Sequence, residues 1–160
     1  MYEHMMRVPL IIRMPKSNRP GAQCDFPTVN VDLVPTLLDC AGADAPATDG
    51  CSLKPFLTGE GPLPQRTFVV GQYYSKQKWI NPIRMIRSDD FKYNLYRLHG
   101  EELYDLRNDP QELTNLADHP DYREIKADLK ARLEAWMDQN EDPFHSQSPT
   151  DREGKYLEEE

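Results

Sequence analysis

Two periods of apolar residues run along this chain, and each predicts a different kind of element. The first is a period of two. Phe91, Tyr93 and Leu95 fall on one face and Lys92, Asn94 and Tyr96 on the other, the pattern of a strand with one apolar face. Thr67–Tyr74 is rich in β-branched and aromatic residues, and Ile83–Arg87 alternates more loosely. Ser88-Asp89-Asp90 reads as the hairpin turn before the Phe91 strand. Glu101–Leu106 gives a fourth strand, and Arg107-Asn108-Asp109-Pro110 a turn in which Asn and Asp bond their own backbone. Leu113 and Leu116 are expected to pin the polar loop that follows. The second period, that of a helix, begins at Pro120. Tyr122, Ile125, Leu129, Leu133, Trp136 and Met137 make one stripe on a helix ending near Gln139. Its natural partner is the inner face of a four-stranded antiparallel meander.

The upstream part is patterned differently. Val8–Ile12 is a near-continuous apolar run, as in a strand buried on both faces. Such strands sit in parallel sheets, yet no alternation of strands and helices accompanies this one. Asn30–Ala41 is a short helix, with Asn30 as its cap, Pro35 in its first turn and Gly42 at its end. Val31, Val34, Leu38 and Ala41 are its expected inward face. Ser52–Leu57 forms one helical turn inside a Pro/Gly-rich connector, with Leu53, Phe56 and Leu57 inward. From Asn140 the chain is polar, and a solvated, disordered tail is expected. The fold class is therefore α+β.

Composition narrows the function classes. A net charge of −8 over 160 residues argues against nucleic acid as a partner. No apolar run approaches the ~20 residues of a membrane span, and no signal peptide pattern stands at the start. Cys24, Cys40 and Cys51 are irregularly spaced, without a Cys-x-x-Cys, and read as free thiols. One disulfide plus one free thiol is the alternative. Adjacent carboxylates such as Asp89-Asp90 are better explained as turns and edges than as a metal set.

Several stretches, in order, resemble the sulfatases of the alkaline phosphatase superfamily. They are Met-Tyr-Glu-His-Met-Met-Arg-Val-Pro-Leu-Ile-Ile-Arg (1–13), Val-Asp-Leu-Val-Pro-Thr-Leu-Leu-Asp-Cys-Ala-Gly (31–42), Asp-Gly-Cys-Ser-Leu (49–53) and Glu-Leu-Tyr-Asp-Leu-Arg-Asn-Asp-Pro-Gln-Glu-Leu-Thr-Asn-Leu-Ala (102–117). The resemblance implies the C-terminal part of such an enzyme. Residues 1–64 would end the catalytic domain with its closing strand, short helix and connector. Residues 65–140 would be the C-terminal subdomain, and 141–160 a polar tail. The family works with a formylglycine made from the Cys or Ser of a Cys/Ser-x-Pro/Ala-x-Arg motif and with a divalent cation, usually calcium. No such motif begins at any Cys or Ser of this chain. The family's Asp clusters for the cation are missing too, as is the sulfate-binding Lys that precedes the Tyr-Glu pair seen here as Tyr2-Glu3. No catalytic residue, metal ligand or cofactor is therefore assigned to the chain, and its partner would be the missing N-terminal sulfatase region.

The best candidate site is Gln72–Pro82, read as a loop leaving a strand. Tyr74, Lys76, Lys78 and Trp79 combine rings that stack on a sugar with cations that pair with an anion. The resemblance implies that this subdomain overhangs the substrate pocket, so a sulfated small molecule or carbohydrate is the expected ligand. His4 is a further candidate, close to where the family's active site ends in sequence. Arg7 is read as a structural arginine under the sheet. The alternatives are an inactive stand-alone binding module or truncated gene product, which could self-associate through Val8–Ile12, and the same region of a phosphoester or phosphonate hydrolase. No compartment is assigned, since an exported parent would carry its signal elsewhere.

Overall fold

The structure is a computed structural model and describes residues 1–15, 17, 19–44 and 46–157. In chain order its elements are helices α1 (Glu3–Met6), α2 (Leu33–Ala41) and α3 (Lys54–Thr58), strands β1 (Val69–Lys76), β2 (Trp79–Arg87), β3 (Phe91–Tyr96) and β4 (Glu101–Asp105), and helix α4 (Arg123–Gln139). Short 3-10 turns lie at Asn30–Asp32, Pro120–Tyr122 and Pro143–Ser146. The chain folds as two compact units: Met1–Val8 with the chain from Val70 onward, and Pro9–Val69.

In the first unit the four strands pair in chain order, as the meander predicted. Ile86 stands opposite Tyr93, and Tyr93 opposite Leu103, so these side chains share one face of the sheet. Leu129, Leu133 and Met137 of α4 are buried, as are all three of those sheet residues. The α4 stripe thus finds the partner that its period implied. Glu101 ties the helix to the sheet edge through Lys130 at 2.6 Å and Lys126 at 3.1 Å. Asp128 and Arg132 pair along the outer face of the helix at 2.9 Å.

The opposite face of the sheet holds the main surprise. Alternation gives it Lys92, Asn94 and Tyr96 from β3, Arg87 and Met85 from β2, and Glu102 and Tyr104 from β4. A polar face of this kind would ordinarily meet water, yet Lys92 and Asn94 are fully buried. The N-terminal segment covers them. The Lys92 ammonium lies 3.0 Å from the Glu3 carboxylate and also pairs with Glu112. Arg87 donates to the other Glu3 oxygen, and the Glu3 backbone N–H donates to Glu112. Burial alone would raise the Glu3 pKa; the bonds from Lys92 and Arg87 outweigh it and hold the carboxyl below its ordinary value. On the same face Glu102 accepts from Asn94 Nδ2 and Tyr96 Oη, both at 2.9 Å. Beside this network Gly71 of β1 makes room for the segment. A Cβ there would stand 2.8, 2.9 and 3.0 Å from the terminal methyls of Met85, Met1 and Met6.

The loop after β4 inverts its expected packing. Leu113 is 78% exposed, whereas Glu112 beside it is buried with φ of 57°. The carboxylate is drawn inward to neutralise Lys92, and the chain twists to allow it. The turn itself forms as the sequence implied. Asp105 Oδ1 accepts from the Arg107 and Asn108 N–H groups, and Asp109 Oδ2 from those of Leu113 and Thr114. Asn115 Oδ1 then caps the edge of β4 by accepting from Leu103 N–H.

In the second unit α2 packs through polar residues. Val31 and Val34, expected inside, are 51% and 55% exposed, while Asp32, Pro35 and Thr36 are buried. Asp32, not Asn30, closes the helix start, accepting from Val29 N–H at 2.9 Å. Asp32 also accepts the Cys51 N–H and a two-pronged contact from Arg66 at 2.6 and 2.7 Å. Thr36 Oγ1 accepts from Leu53 N–H. These bonds draw the Gly50–Leu53 segment against the helix so closely that a Cβ on Gly50 would stand 2.1 Å from the Val31 carbonyl oxygen. Helical propensity reads the apolar spacing; here a buried carboxylate and its guanidinium decide the face instead.

Val8–Ile12 is not a strand. Among the described residues it has no ladder partner, and Val8, Leu10 and Ile11 are 61%, 46% and 92% exposed. An isolated extended segment leaves its own backbone groups to water, so it cannot act as a closing strand by itself. Arg7, expected to pair with a carboxylate, is exposed. The three cysteines are free.

Two measurements test this packing. Lys92→Met leaves Glu112 as an uncompensated buried acid, with Glu3 held by Arg87 alone, and is expected to cost about 3–5 kcal/mol in urea unfolding at pH 7. Adding Glu112→Leu should recover part of that loss; a double variant no more stable than the single one contradicts the charge account. The second concerns acid. Burial would raise Glu101, but the ammonium groups of Lys130 and Lys126 outweigh it and bring the carboxyl to about 2 from an ordinary 4.5. A carboxyl depressed on folding stabilises fully above its unfolded pKa. Stability should therefore hold from pH 7 to about 5 and fall progressively from about 4.5 toward 2, with Glu101→Gln flattening that slope.

Candidate functional site

The stretch Gln72–Pro82, expected to be a loop, is a β-hairpin. β1 runs through Lys76, a two-residue turn of Gln77 and Lys78 follows, and β2 starts at Trp79. Gln77 takes φ of 59°, the left-handed conformation that tight hairpin turns use. The period of two then sorts the side chains. Gln72, Tyr74 and Lys76 are exposed, while Gly71 is buried and Tyr73 and Ser75 are partly so. Tyr74 and Lys76 thus stand side by side on one open strand face, with Lys78 exposed at the tip. Trp79 is half-buried.

His4 belongs to a different element. It lies in α1, exposed, with its ring stacked on that of Tyr2 at 5.8 Å and 11°. Tyr2 in turn meets Tyr104 at 6.0 Å. His4 is therefore carried by the segment that Glu3 anchors to the sheet, whereas Tyr74, Lys76, Lys78 and Trp79 share the β1–β2 hairpin.

The hairpin has a support that pattern reading missed. The chain after α4, expected to be a disordered tail, returns across the sheet as far as Leu157; the expectation for Glu158-Glu159-Glu160 lies outside the described residues. Asp142 is buried and takes two bonds from the buried Arg84 guanidinium, at 2.7 and 2.8 Å, plus one from Gln72. Burial would raise the Asp142 carboxyl; Arg84 and Gln72 hold it below its ordinary value instead. Phe144 is buried beneath Arg84, whose guanidinium carbon lies 5.2 Å from the ring centre. Farther on, Thr150 replaces a strand partner. Its N–H donates to the Ile80 carbonyl, its Oγ1 accepts from Ile80 N–H, and its hydroxyl donates to the Lys78 carbonyl. Arg152 lies over the Trp79 ring at 5.4 Å, and the Lys78 stem runs beside Gly154. The signal for this return was present in part: an arginine in the middle of an apolar strand needs a carboxylate. Nothing in the sequence says which carboxylate answers.

Chemically, the hairpin offers exposed ammonium groups and rings, suited to bind an anion on a sugar or aryl group. Among the described residues no three His, Cys, Asp or Glu side chains are placed to hold a metal ion. No helix of the described chain is long and apolar enough to cross a membrane.

Comparison with known proteins places this geometry. The family described as N-sulphoglucosamine sulphohydrolase, C-terminal, matches residues 1–139. A Delta 4,5-hexuronate-2-O-sulfatase of Bacteroides thetaiotaomicron is 37% identical over 152 residues, covering 91% of this chain and 31% of the relative. A protein solved in complex with its substrate, D-glucosamine-2-N,6-O-disulfate, superposes with a TM-score of 0.64 at 31% identity, over 74% of this chain and 26% of that one. The phosphonate monoester hydrolase of Silicibacter pomeroyi gives a TM-score of 0.69 at 28% identity, over 89% of this chain and 31% of its own. The chain thus spans less than a third of the length of each of these proteins. With the four-stranded sheet, the long covering helix and the residue 1–139 match in hand, the chain belongs to the sulfatase family of the alkaline phosphatase superfamily and corresponds to its C-terminal region.

Proposed function

We propose that this region supplies structure and part of the substrate pocket of a sulfuric ester hydrolase, and that it does not catalyse by itself. Sulfate-ester hydrolysis needs an activated nucleophile, a Lewis acid and cations on the sulfate oxygens. In this reading the formylglycine and the divalent cation, usually calcium in the family, come from the N-terminal sulfatase region, the principal partner of the chain. The hairpin faces the substrate, with Tyr74 and Trp79 against a ring and Lys76 and Lys78 near a sulfate, while α1 brings His4. The observation that carries the reading is the outward alternation of Tyr74 and Lys76 on β1, with Lys78 at the tip. A sulfated carbohydrate is the favoured ligand class. Nucleic acid and membrane are not expected partners of a chain with a net charge of −8.

A second reading has its own support: the likeness to the phosphonate monoester hydrolase extends over 89% of this chain, so the parent's ester could be a phosphonate. The exposed Val8–Ile12 segment also supports self-association of the isolated chain, as a stand-alone module would show.

Backbone NMR titration of the 160-residue chain with D-glucosamine 6-sulfate tests the main reading. Shifts should concentrate at residues 72–82 and at His4, be absent with unsulfated glucosamine, and exceed those with a methylphosphonate ester. Shifts confined to other strands would sink it. The same chain should release no product from an aryl sulfate; turnover that copurifies with it would contradict the non-catalytic assignment. Sedimentation should show concentration-dependent dimers that Ile11→Lys abolishes if Val8–Ile12 pairs with its copy.

A further inference from the structure

The C-terminal return does more than brace the hairpin: it delivers a guanidinium to it. Arg152 is exposed, and its Cζ lies 5.4 Å from the centre of the Trp79 ring. A guanidinium over an indole keeps its planar fork of N–H donors pointing outward. Its position is fixed from both sides. Thr150 is buried and locked to β2 by its bonds to Lys78 and Ile80. Asp151 Oδ1 accepts from the Glu153 and Lys155 N–H groups, both at 2.9 Å, which closes the turn that carries Arg152. The Asp151 carboxylate is thereby committed to its own turn. Among the described residues, no carboxylate pairs with Arg152, Lys76 or Lys78. The Lys78 stem lies beside Gly154, two residues along the same turn from Arg152, and Lys78 is exposed.

This arrangement also changes what Trp79 can do. Arg152 occupies one face of its ring, so that face is closed to a stacked sugar. What the ring offers there is a pre-oriented cation. A fork of parallel N–H donors matches two oxygens of a sulfate ester, and resting the guanidinium on the ring removes part of the rotamer entropy that a free arginine would lose on binding.

We propose that Arg152 is an anion-binding residue of the substrate surface, presented on Trp79 by the returning segment and acting beside Lys76 and Lys78 on a sulfate group of a saccharide. The assignment rests on the reading of the hairpin as substrate-facing, and it adds a residue beyond position 139, where the family match ends.

Isothermal titration of the full chain with a sulfated dextran oligosaccharide tests it, against unsulfated dextran and inorganic sulfate. Arg152→Gln keeps a planar side chain without the charge and should weaken binding of the sulfated oligosaccharide about tenfold. Arg152→Lys keeps the charge without the fork and should recover less than half of that loss. Lys76→Ala with Lys78→Ala tests the hairpin separately and should also weaken binding. If Arg152→Gln binds as the unaltered chain does while the lysine variant weakens, Arg152 is excluded and the hairpin reading stands. If only Arg152→Gln weakens binding, Arg152 stands and the lysines are excluded. Equal binding of unsulfated dextran, tight binding of inorganic sulfate alone, or no binding at all overturns the proposal. Thermal melts of each variant show that the fold is kept; should Arg152→Gln fail to fold, Arg152→Lys decides by the loss of affinity alone.

Discussion

The first unit depends on how one buried ammonium is neutralised. Lys92 sits in the middle of the sheet, fully enclosed, and an unpaired ammonium there would cost several kcal/mol. Two carboxylates answer it from opposite directions along the chain. Glu3 arrives from the N-terminal segment and Glu112 from the loop after β4. Because both must reach one nitrogen, the segment and the loop are fixed relative to each other and to the sheet. The Glu3 N–H to Glu112 bond closes this ring. The position of His4, the inversion of Glu112 and Leu113, and the cover over Asn94 all follow. So does the choice of a polar residue at a central strand position: the charge selects its partners, where an aliphatic side chain would accept any.

The same logic recurs twice. Asp32 with Arg66 and the Gly50–Leu53 segment organises the second unit. Arg84 with Asp142 fastens the C-terminal return. In each case a bidentate arginine–carboxylate pair joins stretches distant in sequence, and backbone N–H groups complete the carboxylate's bonding. The helix–sheet core gives the first unit its bulk. Within each unit these ion pairs decide which loops lie where, and in the first unit the Arg84–Asp142 pair brings the returning chain to the hairpin.

This division explains what was legible beforehand. The β3 alternation, the α4 stripe and the Asp105–Asp109 turn were readable because a local period or a local bond determines each. The fold class and the family followed from them and from the segment order. What failed was whatever a distant charge decides. Val31 and Val34 have helical spacing for an inward face, yet Asp32 and Thr36 take it because their partners lie at Cys51, Leu53 and Arg66. Leu113 looked like an anchor, yet Glu112 goes inside. Asp142 looked like part of a tail, yet it is a buried counter-ion. The candidate residues Tyr74, Lys76, Lys78 and Trp79 were read on a loop where the structure has a hairpin, since two lysines and a glutamine hide a turn that usually shows Gly or Asn. Arg152 escaped notice because its meaning comes only from lying over Trp79.

The cleft over Gly71 carries a consequence for handling and for aging of the protein. Three thioether side chains, Met1, Met6 and Met85, crowd the space where that glycine lacks a Cβ. Met6 is the accessible member, at 36% exposed, and Met85 the buried one, at 2%. Oxidation to sulfoxide would add a polar oxygen to a side chain that has no room for it. Met5, 70% exposed, has no part in this crowding; of the three methionines around Gly71, peroxide would act first at Met6 and lift the N-terminal segment from the sheet, withdrawing Glu3 from Lys92. The segment that carries His4 is the part of the first unit whose seat this chemistry would disturb, whereas α4 lies on the opposite face.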